Sequence, residues 1–64
     1  MNDNTKYFQT GLQAGKAAKR KDYRLVNHFA AWLSKAIAGE SEAEKLCARE
    51  QYAAGYRIES GFGR

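Results

Sequence analysis

Five basic side chains lie within nine residues of this 64-residue chain: Lys16, Lys19, Arg20, Lys21 and Arg24. At this density, lysine and arginine could contact the phosphates of a nucleic acid, with binding that weakens as salt rises because counterions are released. The alternative is a solvated helix end, since cations are favoured at a helix C-terminus. A helix-turn-helix does not explain the cluster, because a motif turn at Gly15 or Gly39 places charged residues where core or small residues are needed.

His28 and Trp32 lie four residues apart, so a helix would place both side chains on one face. An exposed tryptophan often anchors a protein interface, whereas the alternative is an ordinary core tryptophan beside a histidine. The apolar residues of this segment form two adjacent rows that are wider together than the usual stripe, which favours an interface. Its candidate residues are Leu25, His28, Phe29, Trp32, Leu33 and Ala36.

Aromatic and cationic side chains are interleaved near the end of the chain: Tyr52, Tyr56 and Phe62 lie near Arg49, Arg57 and Arg64. Alternating aromatic and cationic side chains can stack on nucleic-acid bases or anchor a protein interface. They can also be amphipathic side chains that cover a small core. The sequence leaves these interpretations open.

The chain has one cysteine, Cys47, and one histidine, His28, and the cysteine could be a nucleophile beside that histidine. Cys47 lies on an apolar face between Ala43 and Ala54, so we expect a buried, inert thiol. A single cysteine and a single histidine cannot form a Cys/His-rich zinc site. The sequence has no Ser/His/Asp arrangement, catalytic carboxylate pair or phosphate-binding glycine loop. We therefore expect a protein that is not an enzyme and has no cofactor or metal.

Helix boundaries are marked by residues that terminate and start helices. Gly39 suits the left-handed position after a helix, and Ser41 with Glu44 forms the S-x-x-E capping box of the next one. Asp3 or Asn4 can cap a first helix, and Asp22 suits the N-cap of a second. We predict one helical domain over residues 1–64, with helices at about 4–19, 22–38 and 41–58 and a flexible tail at 60–64. The fold class is all-α, either a small helical hairpin or a three-helix bundle.

Residues 19–22 could instead belong to one continuous helix from about residue 5 to residue 38, because the helical spacing of the apolar residues is nearly maintained across them. We favour a turn, since Lys19 and Asp22 are charged where a continuous helix would need core residues. Gly11 and Gly15 leave a groove in the first helix where another backbone could approach closely. The third helix should bury a face made mostly of small residues: Ala43, Leu46, Cys47, Ala53, Ala54 and Ile58.

A chain of this length buries little surface, so a second copy or a larger protein is the expected source of further stability. We therefore expect a homodimer, a larger host protein as partner, or both. The net charge of +4 adds nucleic acid as a further candidate partner. The lone cysteine indicates a reducing, cytoplasmic setting, and no apolar run is long enough to cross a membrane.

The segment Ala48-Arg-x-x-Tyr-x-x-Gly-Tyr56 resembles stretches of small helical accessory proteins from bacteriophages and other mobile elements. The resemblance covers about the last third of the chain and implies a protein that binds and blocks a host protein or acts beside DNA. Our leading hypothesis is a non-enzymatic protein-interaction module that modulates or inhibits a partner. The alternative is a nucleic-acid-binding accessory factor that uses residues 16–24.

Overall fold

The computed structural model describes residues 4–61 as three α-helices: α1 (Thr5–Lys19), α2 (Tyr23–Ala36) and α3 (Glu42–Ser60). The described part of the chain contains no strand, which confirms the all-α fold class. Each helix begins one residue after the predicted position, because the predicted starts included the N-cap residue. Helix α2 ends two residues early and α3 two residues late. Ser60, predicted to begin the tail, is helical, and residues 62–64 of that tail lie outside the described residues.

A tight turn separates α1 from α2, so the continuous-helix alternative is wrong. The amide of Asp22 donates to the carbonyl of Ala17 (2.8 Å), and the amide of Lys21 donates to that of Ala18 (2.9 Å). This pair of hydrogen bonds is the Schellman motif, which needs a left-handed residue after the helix. Lys21 takes that conformation at φ 62°. Since glycine usually fills this position, the turn had only a weak signal in the sequence.

Two of the predicted caps are present. The side chain of Asp22 accepts from the amide of Leu25 at the start of α2 (3.3 Å), and the hydroxyl of Ser41 accepts from the amide of Glu44 at the start of α3 (3.3 Å). Asn4 occupies the N-cap of α1, but its side chain makes no capping hydrogen bond. The other candidate for that cap, Asp3, lies outside the described residues.

The predicted left-handed Gly39 is wrong. Helix α2 ends at Ala36, and Ile37 turns into the core, where it is only 2% exposed. Gly39 does not have a positive φ, and a Cβ built on it would meet nothing within 4 Å. Helix α2 thus ends before Gly39, which lies in an exposed turn. The left-handed glycine of the described chain is instead Gly61, which caps α3 at φ 84°.

Helix α1 packs along α3 at close range, because glycines remove the side chains between the two backbones. Gly11 faces the backbone carbonyl of Tyr52, and a Cβ on Gly15 would lie 2.6 Å from the carbonyl oxygen of Tyr56. Gly55 is the corresponding glycine of α3, and a Cβ built on it would meet backbone atoms of α1. Residues later in α1 contact residues later in α3, so the two helices run parallel. This confirms the predicted groove at Gly11 and Gly15, and identifies α3 as the helix that fills it.

Helix α2 runs antiparallel to α1 and packs through larger side chains. The Trp32 ring lies 5.9 Å from that of Tyr7, near the start of α1. Trp32, Leu33 and Ala36 pack against a small cluster formed by Tyr7, Ile37 and Ala48. The backbones of α2 and α3 come close at few positions, so α1 is the helix that both of them pack against.

The buried core is thin. Within residues 4–61 its apolar members are Tyr7, Ala14, Ala17, Ile37 and Ala48. No large side chain of this part of the chain is fully buried, and α2 has no buried residue. Most of the larger apolar side chains therefore keep solvent-accessible surface, and several of them line the surfaces described next.

Candidate functional site

The expected inward face of α3 points outward. Leu46 and Ile58 are 57% and 63% exposed, and Ala43, Cys47 and Ala53 are also exposed. Ala54 is half-buried. The buried positions are Ala48 and Gly55, because only small residues allow α3 to approach α1 closely. The hydropathy pattern therefore predicted the wrong inward face of α3. Glycine adds no apolar side chain to that pattern, although it permits the closest packing of two helices.

Cys47 is exposed, which overturns the prediction of a buried thiol. It lies one residue before buried Ala48 and therefore about 100° around the helix from the face that packs on α1. Because the thiol is in solvent, it is open to modification or oxidation. The expected inertness depended on burial, which is not present.

An open groove of about 490 Å³ runs along α3 and is lined by Tyr52, Ala53, Tyr56 and Arg57. We call it the α3 groove. Three of its four lining side chains are apolar or aromatic, and the guanidinium of exposed Arg57 supplies a positive charge at its edge. Exposed Leu46 and Arg49 continue the same side of the helix at spacings of three and four residues. The described members of the interleaved set are thus brought together on one surface, whereas Phe62 and Arg64 lie outside the described residues.

Tyr52 forms an apolar wall of this groove. Its hydroxyl is buried and has no hydrogen-bond partner among the described residues. Burial raises the pKa of the Tyr52 phenol above its ordinary value of 10.0, and nearby Tyr56 adds to the shift. Tyr52 is therefore protonated and neutral at physiological pH, so the charge of the groove comes from arginine.

The six residues of the predicted interface on α2 do not form one free surface. Trp32, Leu33 and Ala36 pack against the core of the chain itself. Leu25 and Phe29 are half-buried. His28 is exposed, and its ring contacts that of Phe29 edge-on at 5.6 Å. The alternative interpretation of Trp32, a residue that packs within the fold, describes its position better.

The five predicted phosphate-contacting residues surround the α1–α2 turn, and all are exposed: Lys16, Lys19, Arg20, Lys21 and Arg24. The ion pair found within residues 4–61 lies elsewhere, between Lys45 and Glu42 (3.6 Å). Tyr23, 60% exposed, stands in the same turn between Asp22 and Arg24. Tyr23 was not among the predicted site residues, although its position among cations was a usable signal.

The opposite corner of the molecule, before α3, is acidic. Glu40 and Glu44 share a side-chain hydrogen bond, which together with repulsion between the two carboxylates raises the pKa of Glu40 above 4.5. The acidic residues Glu42 and Glu44 lie in the first turn of α3, where the helix dipole favours negative charge. These carboxylates thus have a structural explanation.

Residues 4–61 contain no group of three or more side chains placed to hold a metal ion. None of the helices in this range is long and apolar enough to cross a membrane. Comparison of the chain with protein-family models, with curated proteins and with solved structures finds no match.

Proposed function

We propose that this chain is a small, non-enzymatic protein-interaction module whose docking site is the α3 groove. The observation that carries the proposal is an apolar groove of about 490 Å³ bordered by two tyrosines and an arginine, outside the core of the fold. Tyrosine and arginine are enriched among the residues that contribute most to binding at protein interfaces. The groove is open to solvent, so a partner can reach it without displacing part of the fold.

The occupant we propose is an acidic amphipathic segment of a larger protein. Apolar side chains of such a segment would enter the groove over Ala53, and its carboxylates would pair with Arg57 and Arg49. Neither arginine forms an ion pair with another residue of the described range, so both are available to such carboxylates. The chain's net charge of +4 favours the same class of partner and would speed their encounter.

A module of this kind acts by covering a surface of its partner and thereby modulates or inhibits it. This is the role that the resemblance of Ala48–Tyr56 to accessory proteins of mobile elements implies. A cytoplasmic setting suits the proposal, because the exposed thiol of Cys47 remains reduced there. A second copy of the chain is the competing occupant of the groove.

The proposal is tested with a synthetic helical peptide that carries leucines on one face and glutamates beside them, and with a matched peptide that carries lysines instead. We expect the acidic peptide to shift amide resonances of residues 46–57 in NMR spectra. Ala53→Glu should weaken its binding by about tenfold or more, because it fills the groove and adds a repelling charge. Ala43→Glu changes another exposed alanine of α3 and should leave binding unchanged.

Three results would contradict the proposal: equal binding of both peptides, resonance shifts away from α3, or equal effects of the two variants. Sedimentation of the free chain distinguishes the competing occupant. A dimer that dissociates in Ala53→Glu and persists in Ala43→Glu would assign the groove to a second copy.

A further inference from the structure

We propose that the α1–α2 turn binds the phosphate backbone of a single-stranded nucleic acid and that Tyr23 stacks on one of its bases. The site consists of the five exposed cations of residues 16–24 together with Tyr23, and we call it the basic turn. It lies on other elements than the α3 groove, so it stands or fails independently of the function proposed above.

Helix electrostatics explains only part of the basic turn. Lys16 and Lys19 lie in the last turn of α1, where the dipole favours cations. Arg24 lies in the first turn of α2, and Lys21 directly precedes its N-cap. Cations are unfavourable at a helix N-terminus, and the acid at this end of α2 is Asp22, whose carboxylate caps the helix. The dipole of α2 therefore does not account for Arg24.

The backbone of Lys21 supports the same inference. This residue takes the left-handed conformation at φ 62°, which glycine or asparagine adopts at lower cost. A lysine at this position is unfavourable for the turn in its conformation, whereas its charge suits the C-terminus of α1, which it follows. An interaction of its ammonium with an anion outside the chain would offset the conformational cost.

The cations of the basic turn are available to such an anion. None of them forms an ion pair with another residue of the described range. The carboxylate of Asp22, the acid within the cluster, accepts the hydrogen bond that caps α2. Successive phosphates of a flexible strand could therefore be neutralised by neighbouring side chains around the turn.

The exposed ring of Tyr23 favours a single strand. A tyrosine that is 60% exposed and lies beside Arg24 offers a flat face to an unpaired base, whereas bases within a duplex are already stacked. Stacking tolerates any base, which fits a surface that lacks a helix suited to reading the major groove.

The experiment measures fluorescence anisotropy of a short labelled oligo(dT) over a series of salt concentrations. If all five cations contact phosphates, the slope of log affinity against log salt is about −3.5 for a single strand. Lys21→Gln/Arg24→Gln should reduce its magnitude by about 1.4. Tyr23→Leu should weaken binding about fivefold or more with the slope unchanged.

The matched control is Lys6→Gln/Lys35→Gln, which removes two exposed cations outside the basic turn and gives the same net charge. It should leave the slope close to that of the unmodified chain. Thermal unfolding is a second readout: Lys21→Gln/Arg24→Gln should change the midpoint little, because Arg24 opposes the dipole of α2 while Lys21 follows the C-terminus of α1, where a cation is favoured.

Four results would overturn the proposal. These are no binding of oligo(dT) at low salt, equal losses in the two double variants, an unchanged affinity in Tyr23→Leu, and tighter binding to a duplex of the same length. Tighter binding to vesicles of anionic lipid than to oligo(dT) would assign the cations to a membrane surface instead.

Discussion

The backbone carbonyl of Tyr52 in α3 occupies the space that a side chain on Gly11 of α1 would need. The two helices are therefore in backbone contact, and Gly15 and Gly55 extend this contact in both directions. Since the buried core contains no large side chain that is fully enclosed, this contact between small residues is a major part of what holds α1 to α3.

Gly11→Ala should destabilise the protein by about 1–3 kcal/mol, although alanine is the better helix former. The added methyl group would overlap the carbonyl of Tyr52, so the helices must separate. Urea unfolding followed by circular dichroism measures the change. Gly39→Ala is the control, because its methyl group meets nothing within 4 Å, and it should be neutral or slightly stabilising. Equal stability of the two variants would contradict the backbone contact.

Asp22→Ala should cost about 1 kcal/mol of stability, because it removes the hydrogen bond to the amide of Leu25 at the start of α2. Asp22→Asn retains an acceptor and should lose less. Asn4→Ala, at the N-cap of α1, should change stability little, since the Asn4 side chain makes no capping hydrogen bond. Thermal unfolding of the three variants tests this order, and a larger loss in Asn4→Ala than in Asp22→Ala would contradict it.

The hydrogen bond between Glu40 and Glu44 makes stability depend on pH. The pKa of Glu40 is raised above 4.5, so the folded chain holds this proton more tightly than the unfolded chain. The resulting stabilisation is present below pH 4.5 and is lost as the pH rises through the raised pKa. Glu40→Gln supplies a neutral donor at every pH, so its stability relative to the unmodified chain should increase from acid to neutral pH.

Unfolding of both proteins across that pH range measures the Glu40 effect. Glu40→Ala is the control, because it removes the repulsion between the carboxylates without supplying a donor to Glu44. It should be less stable than Glu40→Gln. An advantage of Glu40→Gln that shrinks as the pH rises would show that the sign is wrong.

Cys47 should react with a thiol reagent such as Ellman's reagent almost as fast in the folded protein as in denaturant, because its side chain is exposed. A buried thiol would react only after local opening and therefore much more slowly. The ratio of the two rates is the measurement, with Cys47→Ser as the blank. Strong protection in the folded state would show that Cys47 is buried and would contradict the orientation of α3.

Local sequence signals predicted the helices well. The caps at Asp22 and Ser41 depend only on a side-chain oxygen and amides three residues later, so their spacing is readable without tertiary information. The groove at Gly11 and Gly15 was predictable for a similar reason, since two missing side chains on one helix face always leave space. The left-handed residue was misassigned, because Ile37 enters the core before Gly39 and the Schellman turn uses Lys21.

The sequence by itself determined that this chain is helical, where two of the helices are capped, and where α1 could admit another backbone. The break at residues 19–22 had only a weak sequence signal, because a lysine takes its left-handed position. Only the tertiary structure decided which face of α3 fills the space on α1. The apolar pattern predicted that Leu46, Cys47 and Ile58 are buried in α3, whereas the residues that pack against α1 are Ala48 and Gly55. The physical reason is that hydropathy counts the apolar surface of side chains, while contact between two backbones depends on their absence. Because the face with Ala48 and Gly55 packs against α1, the α3 groove and the thiol of Cys47 face solvent.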